Sequence, residues 1–262
     1  MMAGVTIRQY TIEGFRAYLM MQSGRHPKAT VLHHCWRPNA QQYRGISTIQ
    51  GIQRTHMSGA FPSGIAANCY TGPDGAIFNG RPLSWSNWAH AAKSSKWPWS
   101  NVYAPLRALM VDSNGDPDYM WCNRWAFGVE TVGDFDVEDP TTSRAMATSL
   151  DVIALVHKLY TIPVERCFLH RDVADKTCPG KRVTRAWVHS QLRARLTGDI
   201  GGTLKIVLLP GSQVIDCRPA VEQGITRCDL RPLAEGLGHD VIAEHLQTQR
   251  KLYVRKREGV TQ

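Results

Sequence analysis

Leu169-His170-Arg171-Asp172-Val173-Ala174-Asp175-Lys176-Thr177-Cys178-Pro179-Gly180 follows a short apolar run, Arg166 to Leu169, that reads as a buried strand. A histidine, a lysine and a cysteine therefore stand in one loop closed by Pro-Gly. Imidazole and thiolate are the donors that zinc favours. Far upstream a second apolar run, Thr30-Val31-Leu32, ends in His33-His34-Cys35. One ligand at the end of one strand and two in the loop after another would make a three-ligand centre. Three protein ligands leave the fourth tetrahedral position to water, as in a catalytic zinc site. The paired Cys-x-x-Cys of a structural zinc ribbon occurs nowhere in the chain.

The 262 residues allow one domain of ordinary size and a small second one, and 43% hydrophobic residues suffice for a proper core. No run approaches the roughly 18 consecutive apolar residues of a membrane span. Met1 to Tyr10 has no apolar stretch of the secretory kind, so the reading expects a protein made without a signal peptide. Seven cysteines is an odd number, and Cys69, Cys122 and Cys167 lie in apolar surroundings, which suits reduced core residues. The net charge of +9, most of it before Thr203, implies a polyanionic partner. Nucleic acid is the generic candidate for a basic chain, but no basic helix with interleaved aromatics supports it.

Periodicity gives the coarse organisation. Thr11 caps a helix through Met21, a strand spans Ala29 to Cys35, and a helix covers Ser47 to Met57. Ile65 to Tyr70 and Ala76 to Phe78 read as strands about the Gly72-Pro73-Asp74-Gly75 turn. Lys93 to Arg124, rich in Trp, Pro, Asn and Asp, reads as one long loop. Trp125 to Val132 is the next strand. A helix over Thr142 to Tyr160 carries Met146, Leu150, Ile153 and His157 on one face, His157 being structural. A last helix runs from about Arg182 to Leu196. Thr197-Gly198-Asp199-Ile200-Gly201-Gly202 is a linker, so a domain over 1–197 precedes a small one over 203–262. In the latter, Leu204 to Leu208 and Gln213 to Cys217 form a hairpin, Asp229 to Leu237 a helix and Lys251 to Val254 a strand.

Five separated motifs carry a resemblance. They are Val31-Leu32-His33-His34-Cys35-Trp36, Pro73-Asp74-Gly75-Ala76-Ile77-Phe78-Asn79-Gly80-Arg81-Pro82, Ala89-His90-Ala91, Phe127-Gly128-Val129-Glu130-Thr131-Val132-Gly133, and the His170 to Gly180 segment. In this order they resemble the strand ending His-x-Thr, the hairpin ending Gly-Arg, the His-Ala loop, the Ile-Gly-Ile-Glu strand and the closing ligand loop of type 2 N-acetylmuramoyl-L-alanine amidases. That family includes phage endolysins, bacterial wall amidases and peptidoglycan recognition proteins. The resemblance spans roughly residues 8 to 195. It implies an α/β fold with a central mixed sheet flanked by helices and a zinc site at the strand ends. The segment Cys228 to Gly238 is similar to the small β-β-α-β domain at the N-terminus of copper amine oxidase, implying a small α+β accessory domain that contacts the wall or serves as a structural appendage.

The resemblance implies Zn2+ held by His33, His170 and Cys178, with His34 on the opposite strand face because successive side chains alternate. Zinc lowers the pKa of bound water to about 7 and polarises a carbonyl. The general base is a Tyr or a Glu in this family. The Tyr position is Ala67 here and the Glu position is Glu130, so Glu130 is the expected base. Lys176 matches the family lysine at the oxyanion. His90 is expected at the groove edge, Asn68 replaces a family histidine, and Trp88 with Trp85, Trp97 and Trp99 suits a glycan or peptide groove.

The expected substrate is bacterial peptidoglycan, glycan and stem peptide, and the expected reaction is hydrolysis of the amide between N-acetylmuramic acid and L-alanine. The basic charge then serves a cell-wall polyanion and not nucleic acid. A phage endolysin made in the host cytoplasm and released to the wall is the favoured setting, with a bacterial autolysin beside it. A non-catalytic peptidoglycan-binding protein is the rival from another class, but such proteins typically lose the cysteine ligand, and Cys178 is present. A structural zinc protein would need His34 or Cys35 as a fourth ligand. Sequence leaves the oligomeric state open.

Overall fold

A computed structural model describes residues 4–59, 64–90 and 98–197, and beyond them the backbone of six strands. The chain divides into two compact units, Met1–Gly198 and Asp199–Gln262.

In the first unit the order is β1 (Gln9–Tyr10), α1 (Ile12–Met20), β2 (Ala29–His34), α2 (Ile46–Ser58), β3 (Cys69–Thr71), β4 (Ile77–Asn79), α3 (Ala104–Arg107), α4 (Trp121–Trp125), β5 (Ala126–Thr131), α5 (Arg144–Tyr160), β6 (Cys167–Leu169) and α6 (Arg185–Thr197). One six-stranded mixed sheet runs β1-β4-β3-β5-β2-β6. The strands β3, β5, β2 and β6 are mutually parallel, and β4 pairs antiparallel with both β3 and β1. This is the central mixed sheet with flanking helices that the motifs implied.

Alternation along β2 sorts the core. Leu32, with Phe127, Val129, Cys167 and Leu169, faces the apolar stripe of α5 and the buried residues of α1 and α6, including Phe15, Leu19, Val188 and Leu192. Ala29, Val31, Ala126 and Phe168 face the other way. Each fully buried Phe or Leu contributes about 1.5–3 kcal/mol relative to exposure. Thr11 Oγ1 accepts from the Gly14 N–H and Ser143 Oγ from the Met146 N–H, so both helix starts are capped by side chains. His157 is buried on α5 with Nε2 2.9 Å from Thr30 Oγ1, a structural histidine as expected.

Two expectations need correction. The stretch Lys93 to Arg124 is not a plain loop where it is described. A short turn at Trp99–Asn101, α3 and α4 place Val102, Leu106, Met110, Trp121 and Cys122 on the Ala29–Val31 side of the sheet. The four-residue spacing of Val102, Leu106 and Met110 was the available signal, masked by the surrounding polar residues. The strand expected over Ile65 to Tyr70 is only Cys69–Thr71. Before it the backbone bonds elsewhere: the Ala67 carbonyl accepts from the Arg81 N–H at 2.8 Å and the Asn68 carbonyl from the Gly80 N–H at 2.7 Å.

In the second unit three antiparallel pairs are described, Leu204–Val207 with Val214–Cys217, Ala220–Glu222 with Ile225–Arg227, and His239–Ala243 with Leu252–Lys256. The helix expected over Asp229 to Leu237 lies outside the described residues. Among the described residues no helix is long and apolar enough to cross a membrane.

Candidate metal centre

The parallel strands decide where the polar residues meet. Ligands gather beyond the carboxyl ends of parallel strands, because all those ends lie on one edge. In register, His33 on β2 pairs with Glu130 on β5, and Glu130 pairs in turn with Tyr70 on β3. Leu32 pairs with Leu169, so His170 emerges one residue later beside His33. His33 and Glu130 share a sheet face with Val31 and Ala126, opposite the face that α5 covers.

His33, His170 and Cys178 are buried, and their donor atoms all lie within 4.8 Å of one another. Cys178 Sγ is 3.8 Å from His33 Nδ1, and the two histidine ring centroids are 4.3 Å apart. Donors around a tetrahedral zinc ion stand about 3.5 Å apart, given bonds of about 2.0–2.3 Å. The cluster therefore fits a divalent ion after a small contraction. Among the described residues it is the one His/Cys/Asp/Glu group of this kind.

Burial holds the His33 imidazole far below the usual histidine range and His170 down to about 3, aided by the Lys176 charge. Both are therefore neutral, the form that binds metal. Burial, and the Glu130 carboxylate beside it, push the Cys178 thiol up. Its sulfur accepts from the His34 N–H at 3.4 Å.

His90 is buried, at 1% exposure, behind the ligands and not at an open groove edge. Its Nε2 lies 3.4 Å from the Ala126 carbonyl and its Nδ1 2.8 Å from His33 Nε2. A ring that donates through Nε2 has Nδ1 free to accept. His33 then donates through Nε2, and its Nδ1 lone pair is left facing Cys178. The His90 backbone also hydrogen-bonds the His170 ring. Gly128 makes room for this, since a Cβ there would stand 2.7 Å from His90 Cε1 and from Asn87 Nδ2.

Glu130 is the carboxylate of the site. Burial raises its pKa from 4.5 to about 7, opposed by the Lys176 ammonium and by a hydrogen bond with the Cys35 thiol. Lys176 itself is exposed on the ligand loop, with its charge felt at Glu130, His33, His170 and Cys178. That loop is tied to the segment after β5: Asp136 accepts from Thr177 Oγ1 at 2.9 Å and from the Lys181 N–H at 2.8 Å. His34 points to the opposite face as expected and accepts from the Phe135 N–H at 3.2 Å through Nδ1.

The structure thus brings together His33, His170, Cys178, Glu130, Lys176 and His90. Asn68 is placed beneath them with its amide spent on protein: it donates to the Arg81 carbonyl at 2.9 Å and accepts from the Gly128 N–H and from Asn87. Trp88 is 46% exposed and Trp99 packs on Tyr119, while Trp97 lies outside the described residues. Sequence reading missed Trp36, 56% exposed on the loop just beyond the ligand strand, with Arg37 over its ring at 5.5 Å. Its adjacency to His33 was the signal.

Solved structures with a similar fold include the N-acetylmuramoyl-L-alanine amidase LysC from Clostridium intestinale, at 23% identity over 64% of this chain and 86% of that one, TM-score 0.44. Drosophila peptidoglycan recognition protein LB matches at 22% identity over 62% and 81%, TM-score 0.41. An endolysin from a Thermus scotoductus bacteriophage matches at 19% identity over 65% and 87%, TM-score 0.43. No curated protein matches the sequence. The family model described as N-acetylmuramoyl-L-alanine amidase matches residues 23–181, a span that holds every residue of the site just built, and the chain belongs to that family.

Proposed function

We propose that the chain is a zinc-dependent hydrolase of peptidoglycan that cuts the amide between N-acetylmuramic acid and L-alanine. The observation that carries this reading is Glu130, a half-buried carboxylate with its pKa raised to about 7, in register with His33. A group with that proton affinity can both take and return a proton at neutral pH, which amide hydrolysis requires. Zinc held by His33, His170 and Cys178 would supply Lewis acidity for the carbonyl and acidify water.

The chain's own residues do the rest. Glu130 accepts the proton of the attacking water and delivers it to the leaving amine of L-alanine. Lys176 stands at the rim as a cation for the developing oxyanion. His90 keeps His33 in the tautomer that presents Nδ1.

The proposed setting is a phage endolysin, or a bacterial autolysin, that reaches the wall after synthesis in the host cytoplasm. The net charge of +9 supports attraction to an anionic wall. The unit after Gly198 is proposed as an accessory wall-contacting module. Mass spectrometry of purified sacculi treated with the zinc-loaded protein should find new L-alanine amino termini on intact glycan. Binding to sacculi with no such termini would point instead to a non-catalytic recognition protein.

A further inference from the structure

The described residues include five free cysteines, and burial divides them. Cys69, Cys122 and Cys167 are 0% exposed, whereas Cys178 is 8% exposed and Cys35 is half-buried. Of these five, a dissolved oxidant therefore reaches Cys35 and Cys178 first. Cys35 stands where the family resemblance has threonine. A threonine hydroxyl cannot form a disulfide, so the chemistry open to this position belongs to this chain.

The fold brings the two sulfurs to one place. Cys178 Sγ accepts from the His34 N–H at 3.4 Å and lies 3.8 Å from the His34 carbonyl oxygen. That oxygen belongs to the peptide unit that leads into Cys35, which puts Cys178 Sγ at most about 7 Å from the Cys35 Cα. Cys35 also continues the alternation of β2. Its N–H donates to the Thr131 carbonyl at 2.9 Å, and its side chain leaves the strand on the face that carries His33. Cys178 Sγ is on that face too, 3.8 Å from His33 Nδ1. Burial, then the Glu130 carboxylate and Cys178 itself, push the Cys35 thiol up, as expected of groups enclosed together. The Cα atoms of a disulfide stand about 4.4–6.8 Å apart, a range that this arrangement meets with little movement.

We propose that Cys35 and Cys178 form a reversible disulfide that withdraws the cysteine donor from the metal centre and shields it from irreversible oxidation. With a peroxide as oxidant, the Cys178 sulfur attacks one peroxide oxygen, the O–O bond breaks, and a sulfenic acid and water result. The Cys35 sulfur then attacks the Cys178 sulfur. An S–S bond forms, the S–O bond breaks, and the hydroxyl leaves with the Cys35 proton as a second water. Two thiols lose two electrons in all and one peroxide gains them. A small thiol reverses the bond by exchange, which it cannot do for a sulfinic acid. The disulfide stands on the geometry of the two cysteines, and only its effect on zinc rests on the metal-centre reading above.

The test is exposure of the full-length, zinc-free protein to hydrogen peroxide, then alkylation, digestion without reductant and mass spectrometry. Peptides joined through Cys35 and Cys178, two hydrogens lighter than their parts, should appear and should separate again in dithiothreitol. Zinc binding, read by competition with a chromogenic chelator, should be lost as the link forms and return on reduction. C35S should bind zinc before oxidation, but with no second thiol its Cys178 should pass to the sulfinic acid. After reduction it should then keep at least about tenfold less zinc-binding protein than the wild type. No Cys35–Cys178 peptide, sulfurs joined to other cysteines in its place, or full recovery of C35S would each overturn the proposal. A protein that forms the link and binds no zinc in either state keeps the pairing and loses the metal reading. One that binds zinc and forms no link does the reverse.

Discussion

His33 Nε2 lies 2.8 Å from His90 Nδ1, with His90 wholly enclosed behind the ligand it touches. The contact fixes which nitrogen of His33 faces Cys178. Outer partners of this kind change metal affinity by about 10–100-fold when removed. His90→Phe should weaken zinc binding by that order, read by competition with a chelator of known affinity. An unchanged affinity would remove His90 from the positioning role.

Gly128 gives an independent handle on the same contact. Gly128→Ala introduces a Cβ at 2.7 Å from His90 Cε1, which forces the ring away from its place under His33. Overpacking costs about 1–3 kcal/mol. The variant should therefore melt earlier and show the same loss of zinc affinity as His90→Phe. Normal affinity in a destabilised protein would separate the two effects.

Glu130→Gln should retain metal and lose about 10²–10⁴-fold in kcat. The carboxylate must be ionised to act as base, so activity should fall as pH drops below about 7. A bound divalent cation favours the carboxylate and moves that limb lower. In the metal-free protein the sign for stability is opposite. The raised pKa gives stability that is present below 4.5 and lost as pH rises through about 7. Thermal melts of the metal-free Glu130→Gln variant should lack that decline.

The neutral state of the ligands predicts a second pH dependence. The Cys178 thiol is pushed up, so binding zinc expels its proton, and affinity should fall about tenfold per pH unit on acidification. Cys178→Ser should bind zinc far more weakly. The histidines act on the fold as well. His170 and His90 are held near 3 and His157 near 4, so their contribution is present above 6.5 and lost as pH falls through these values. Metal-free melts between pH 7 and pH 4 measure this.

Asp136 tests whether the ligand loop needs its tether. Asp136→Ala removes the partners of Thr177 Oγ1 and the Lys181 N–H, on either side of Cys178. The loop should then exchange amide hydrogens faster and zinc should dissociate faster, with kcat at saturating zinc little changed. Wild-type exchange in this loop would show that Arg171, which donates to the Thr177, Cys178 and Gly180 carbonyls, holds it without Asp136.

The sequence determined most of the strands, the main helices and the three candidate metal donors, because each is a local matter. Val31-Leu32 and Phe168-Leu169 are too apolar to lie elsewhere than in the sheet, His33 and His170 follow them directly, and Cys178 stands in the loop after His170. Thr11 and the α5 stripe were legible for the same reason. Tertiary structure decided what depends on residues far apart in the chain. Parallel pairing put Glu130 beside His33 and lent it a raised proton affinity, since burial is a property of the assembled sheet. It also took His90 from an expected groove edge to a place behind His33, spent the Asn68 amide on Arg81, Asn87 and Gly128, and turned an apparent loop into half of the buried cluster on the Ala29–Val31 face of the sheet. A side chain's donors and charge are written in its own residue, but its neighbours and its distance from water exist only after the chain has closed on itself.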